Sequence, residues 1–190
     1  MSKIHFPYNY IAIEGNIGSG KTTFCRMLAQ EYSCQLVLEE FDDNPFLPFF
    51  YEDPERFAFT VELFFMTERY KQMQRSLLNR DMFVDFTVAD YAFIKTLLFA
   101  RQNLPEEEYR LFQKMFAPLH QTFPKPELLV YFHQVQNSYF EYFRNILSYP
   151  ILIIDLNTID FEQNERNYSE VKHLLSKRYN PGVHRVTLVV

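Results

Sequence analysis

Apolar residues in this chain gather into short continuous runs at Tyr10 to Glu14, Gln35 to Leu38, Met82 to Val84, Leu128 to Phe132 and Ile151 to Ile154. A run that is apolar at every position, rather than at every second one, predicts a strand covered on both faces. Longer stretches with helical spacing lie between the runs. They predict α-helices over Thr22 to Tyr32, from Pro54 to about Asn79 behind an Asp53 cap, from Thr87 to Ala100, and from Pro105 onward. Two more are expected over Ser138 to Leu147 and Tyr168 to Arg178. Strands alternating with helices predict right-handed crossovers and an α/β fold of three layers, with a mainly parallel five-stranded sheet flanked by helices. The tail from Gly182 to Val190 reads as an additional strand. Neither a repeat nor a linker interrupts the pattern, so a single domain over residues 1–190 is expected.

Composition narrows the partners more than the fold. Twenty-one Phe and 13 Tyr with no Trp give an unusually aromatic core. The net charge of −5, with no basic stripe, argues against a nucleic-acid polymer as partner and for a small anion held locally. Cys25 and Cys34 lack metal-type spacing and read as reduced packing thiols of a cytoplasmic protein. The N-terminal residues lack the apolar core of a leader and no run approaches a membrane span, so no membrane partner is expected.

The chemistry is announced at residues 15–23. Three of the chain's 4 glycines fall in Gly15-Asn16-Ile17-Gly18-Ser19-Gly20-Lys21-Thr22-Thr23, which matches the phosphate-binding pattern G-x-x-x-x-G-K-[ST] between a predicted strand and a predicted helix. Glycines let the backbone curl round a phosphate, and the following helix points unpaired N–H groups at it. Lys21 would reach the terminal phosphates and the Thr22 hydroxyl would hold Mg²⁺. Asp85, taken as the end of the Met82 to Val84 run, is the expected second metal residue. Phe86 follows it, so the adjacent Glu that activates water in motor ATPases is absent. Glu39 and Glu40 end the second run, where either could accept a proton from a hydroxyl. This favours phosphoryl transfer to a small alcohol over hydrolysis.

The loop joins Glu39-Glu40 with Asn44-Pro45, Phe50-Tyr51-Glu52-Asp53-Pro54 and Phe83-Val84-Asp85-Phe86-Thr87-Val88-Ala89-Asp90-Tyr91 in an ordered set. With these segments the chain resembles the bacterial deoxynucleoside kinases of the deoxyadenosine/deoxyguanosine group, from about Tyr10 to Phe161. The resemblance implies a P-loop nucleoside kinase fold and ATP-dependent, Mg²⁺-assisted phosphorylation of a deoxynucleoside, a purine one, at its 5′-hydroxyl. It further implies Glu39 as general base beside Lys21, Tyr51 on the sugar 3′-hydroxyl, Glu62 in the place of a base-reading Gln, and a homodimer formed through helices such as those carrying Phe64 and Phe93. A carboxylate only accepts, so Glu62 suits the N–H donors of guanine. Phe57, Phe64, Phe65, Phe93 and Phe99 form an aromatic stripe that could line a pocket.

Two departures from the family pattern keep a second reading open. Asp85-Phe86-Thr87 stands where many members carry an acid, Arg and Ser or Thr, with Arg69 a candidate substitute. Gln134 to Asn137 leads directly into Ser138, without an arginine-rich lid. A catalytically weak nucleotide-binding subunit of a larger protein would fit both. A nucleoside monophosphate kinase is disfavoured, because no arginine cluster suits an acceptor phosphate.

Overall fold

A computed structural model describes residues 4–16, 18–40, 44–78, 83–133, 148–155, 161 and 164–188. The chain divides into two units. Unit 1 comprises Met1–Leu38, Asp81–Ala92 and Lys125–Val190, and unit 2 comprises Glu39–Arg80 and Phe93–Pro124.

Unit 1 is built on a parallel sheet. Strands β1 (Tyr10–Gly15), β2 (Cys34–Val37), β3 (Phe86–Ala89), β4 (Leu128–His133), β5 (Pro150–Asp155) and β6 (Gly182–Thr187) lie in the order β2-β3-β1-β4-β5-β6. β1, β4 and β5 are buried along their whole length, as their unbroken apolar runs require. Ile11 and Ile13 of β1, Val130 and Phe132 of β4, and Leu152 and Ile154 of β5 form one core with α1 (Lys21–Glu31) and α6 (Glu165–Leu175). Helix α1 contributes Phe24, Cys25 and Leu28, and α6 contributes Tyr168, Val171 and Leu175. The Phe24 ring meets Phe132 and Tyr168 edge-on at 5.5 and 5.4 Å. The sixth strand raises the expected count of five by one and is the tail segment itself. Its residues alternate between half-buried and exposed, as on a sheet edge.

The third strand is shifted from its expected place. Phe83 is 87% exposed, and the buried run begins only at Phe86. Thr87, expected to cap a helix, is a strand residue paired with Tyr10 and Gln35. A β-branched pair, Thr87 and Val88, between an aromatic residue and alanine fits a pleated buried surface better than a helix start. The helix expected from Thr87 starts at Lys95 instead.

Unit 2 is helical: α2 (Leu47–Glu52), α3 (Pro54–Leu77), α4 (Lys95–Asn103) and α5 (Glu106–Gln121). Helix α3 starts as expected. The Asp53 side chain accepts from the Arg56 N–H at 3.2 Å and Pro54 takes the first helical position. Phe93 stacks on Phe116 of α5 at 5.0 Å and meets Phe123 edge-on at 5.4 Å. Phe93, named above as a pocket candidate, is buried in this packing. The helix expected over Ser138 to Leu147 lies outside the described residues, as does the Gln134 to Asn137 segment. Among the described residues no helix is long and apolar enough to cross a membrane.

Candidate functional site

The candidate groups form two sets, one in each unit. In unit 1 the loop leaves β1 at Gly15, where a Cβ would come within 2.5 Å of the Phe132 carbonyl oxygen. Only glycine allows so close a passage beside β4. Gly20, at φ 78°, is the N-cap of α1 and offers no side chain to its first turn, so those N–H groups remain available to an anion. Ser19 is 1% exposed and its Oγ has no hydrogen-bond partner among the described residues. Such an orphan costs free energy unless a ligand satisfies it. Lys21 Nζ donates to the Asn16 carbonyl at 2.8 Å, and Asn16 Oδ1 accepts from the Tyr131 hydroxyl at 3.1 Å. Gly18 and Thr23 complete the described part of the loop, while Ile17 lies outside it.

The Thr22 hydroxyl donates to Asp90 Oδ2 at 2.5 Å. Asp90 directly follows β3, and its N–H donates to the Val37 carbonyl at the end of β2. Asp85 precedes β3, with its N–H bonded to Ser33 ahead of β2, so it stands at the amino end of the strand that Asp90 leaves. The expectation that Asp85 ends this strand is thus corrected: the acid at the carboxyl end is Asp90, and the residue after it is Tyr91. Glu14, also buried, accepts from the Ala92 N–H at 2.7 Å and so fixes the chain just beyond Asp90. The open helix start, the orphan Ser19 hydroxyl, Lys21 and the Thr22–Asp90 pair fit a polyphosphate with a hard cation. Among the described residues no group of three His, Cys, Asp or Glu could hold a metal ion alone. A cation here would draw its other oxygens from water and phosphate, as Mg²⁺ commonly does.

In unit 2 the two adjacent glutamates part company. Glu39 Oε1 accepts from Arg69 Nε at 3.0 Å and Oε2 from Lys95 Nζ at 2.5 Å, and the Glu39 side chain is 7% exposed. Burial raises its carboxyl pKa, but Lys95 and then Arg69 outweigh that and hold it below the ordinary value. Glu40 is exposed and paired with exposed Arg75 at 3.2 Å. Arg69 Nη1 also reaches Thr96 Oγ1 at 3.4 Å, and its guanidinium lies 5.5 Å from the Phe65 ring centre. Seven residues before Arg69 on α3, Glu62 is 3% exposed. Its Oε1 accepts from Asn103 Nδ2 at 2.6 Å, while Oε2 has no hydrogen-bond partner among the described residues. Burial pushes its carboxyl up, opposed by Asn103 and Arg69. Tyr51 lies on α2 and is 75% exposed. Lys95, Thr96 and Asn103 were not foreseen, since no spacing in the sequence ties α4 to Glu39 or Glu62.

A glycine loop opening an uncapped helix, with a hydroxyl in that helix's first turn bonded to a carboxylate just beyond a neighbouring strand, defines a phosphate-binding α/β protein of the P-loop class. The profile of the deoxynucleoside kinase family matches residues 11–145. The chain is 35% identical over 125 residues to a deoxyguanosine kinase of Bacillus subtilis, covering 64% of this chain and 59% of that one. It is 31% identical over 136 residues to a deoxyadenosine/deoxycytidine kinase of the same organism, covering 69% and 63%. The alignments thus span about three fifths of the length of those two curated relatives. Among solved structures, deoxyadenosine kinase from M. mycoides with bound dATP superimposes with a TM-score of 0.65 at 16% identity, covering 85% of this chain and 98% of that one, a likeness of fold. The chain belongs to the deoxynucleoside kinase family.

Proposed function

We propose that this protein transfers the γ-phosphoryl group of ATP to the 5′-hydroxyl of a purine deoxynucleoside. The observation that carries the reading is Glu39, a buried carboxylate whose two cationic neighbours keep it ionised and fixed in direction. In this reading Glu39 takes the 5′-hydroxyl proton as the O5′–phosphorus bond forms and the bond to the leaving ADP oxygen breaks. Lys21 and the N–H groups of the α1 start hold the β- and γ-phosphates. Thr22 and Asp90 would hold Mg²⁺, which neutralises charge on the phosphoryl oxygens when bound. Tyr51 meets the sugar 3′-hydroxyl, and Glu62 meets the base.

The purine assignment is supported by Glu62 and by the deoxyguanosine kinase to which the chain is similar. Asn103 occupies one carboxylate oxygen and leaves the other as an unfilled acceptor. Guanine presents adjacent N–H donors along its pairing edge, whereas adenine presents a donor beside an acceptor, so guanine is the better match. A site built for donors rejects a base that lacks them, because its polar group is then left unpaired. The test is phosphate transfer from ATP to a panel of deoxynucleosides, with Glu39→Gln beside wild type. Deoxyguanosine should lead the panel and Glu39→Gln should lose roughly 10²–10⁴-fold in kcat. Unchanged turnover in that variant would reject the assigned base, and binding of ATP with no transfer to any nucleoside would favour a nucleotide-binding subunit instead.

A further inference from the structure

We propose that Lys95 is a positioning residue for phosphoryl transfer, holding Glu39 ionised and aimed from the first turn of α4. The inference rests on the reading of Glu39 as proton acceptor. The geometry behind it is a two-sided grip: Arg69 on α3 takes one carboxylate oxygen and Lys95 on α4 takes the other. Neither grip would suffice alone. A single contact at Oε1 leaves the carboxylate free to rotate about its last bond, whereas donors on both oxygens from two helices fix its plane.

The two cations differ in what else they do. Arg69 is spread over Thr96 and the faces of Phe65 and Phe99, so its guanidinium is part of the packing of α3 against α4. Lys95 is 11% exposed at its side chain and lies 5.7 Å from the Phe99 ring centre, and its ion pair is with Glu39. An ammonium is a compact charge with three donors on a flexible stem. It can give one N–H to Glu39 and keep others for an oxygen that gains charge as the hydroxyl is deprotonated. Among the described residues the charged groups that act on Glu39 include Lys95 from α4 and Arg69 from α3, and Arg69 also acts on Glu62 of α3.

The experiment compares wild type with Lys95→Met, Lys95→Arg and Glu39→Gln. Methionine keeps an unbranched chain of similar length and removes the charge; arginine keeps the charge. Two readouts are taken: kcat and KM against pH, and the Glu39 side-chain carboxyl titration by carbon-13 NMR in the substrate-free protein. In Lys95→Met the acid limb of kcat/KM and the Glu39 titration should both move up by about one pH unit, because removing a nearby positive charge disfavours the carboxylate. In the same variant kcat should fall about 10–100-fold on the pH plateau with KM for ATP within about twofold, as expected for a misaimed group. Lys95→Arg should hold both limbs within about 0.3 units of wild type. A Glu39 titration or an acid limb unmoved in Lys95→Met overturns the role of Lys95 while Glu39→Gln still reports on the base. Full turnover in Glu39→Gln would overturn the reading of the base itself, whatever Lys95 does to the titration.

Discussion

The two units hold their polar groups by opposite means. In unit 1 the phosphate loop presents backbone: a glycine N-cap without a side-chain cap, an orphan Ser19 hydroxyl and N–H groups at the start of α1. In unit 2 the candidate groups are long side chains locked by residues on α3 and α4: Glu39, in the chain after β2, between Arg69 and Lys95, and Glu62 against Asn103. The first arrangement leaves the Ser19 hydroxyl without a hydrogen-bond partner among the described residues, which an anion would suit. The second is nearly self-satisfied, with Glu62 Oε2 as the exception. Unit 1 groups should therefore show their loss mainly as lost chemistry, and unit 2 groups as lost chemistry together with lost stability.

The largest effect is expected where the contrast is sharpest. Lys21→Met removes a charge that the proposed function places on the terminal phosphates, so phosphoryl transfer should fall by about 10³-fold while stability changes by less than about 1 kcal/mol. Initial-rate kinetics and a thermal melt of the same preparation measure both. A melt that drops as steeply as the rate would mean that Lys21 serves the fold, and the contrast between units would fail.

Next comes the Thr22–Asp90 pair proposed for the metal. Asp90→Asn keeps the bond from the Thr22 hydroxyl but removes the charge a hard cation needs, so the Mg²⁺ concentration for half-maximal rate should rise about 10–100-fold. Asp85→Asn, at the other end of β3, should leave that concentration within about twofold. The reverse result would return the metal to Asp85 and break the account of the strand ends.

Glu39→Gln should also cost stability, because it leaves two cations with little exposure and no anion between them. Breaking a buried pair in this way costs about 3 kcal/mol. The sign with pH follows from the folded pKa lying below the unfolded one. Stability from Glu39 is fully present above the unfolded carboxyl value and is lost as pH falls through the lower folded value. The melting gap between wild type and Glu39→Gln should be widest near neutrality and close in acid. A gap that does not change with pH would show that the lost interaction is not ionic.

The phosphate loop and most of the sheet were legible from sequence because both depend on local rules. Continuous apolar runs mark strands buried on two faces, and glycine spacing marks a turn that no other residue can make. The third strand was misplaced because Met82 to Val84 is as apolar as Phe86 to Ala89, and only burial, not hydropathy, tells them apart. With it the acid at the carboxyl end of that strand is Asp90 rather than Asp85. Glu39 was visible as an acid at a strand end, yet its partners were not. Arg69 and Lys95 lie 30 and 56 positions along the chain and meet it only through the packing of α3 and α4. The same holds for Asn103 and Glu62, 41 positions apart.

The smallest expected effect discriminates best, because it compares two residues of one type side by side in the chain. By position at the end of the second run Glu39 and Glu40 could not be told apart, and only the family resemblance favoured Glu39 as the proton acceptor. Glu40 pairs with Arg75 at 3.2 Å with side chains 61% and 68% exposed. Water screens such a pair, and holding two long side chains together costs entropy, so its contribution is about 0–1 kcal/mol. It also lacks the fixed direction that a base requires, since an exposed carboxylate samples several rotamers. Glu40→Gln should therefore melt within about 0.5 kcal/mol of wild type and keep kcat within about twofold, at every pH where the enzyme is active. If Glu40→Gln instead lost ten-fold or more in kcat while Glu39→Gln did not, the acceptor would be the exposed carboxylate. The grip of Arg69 and Lys95 would then be a structural fastening of α3 to α4, and the contrast between the two units would reduce to one of packing.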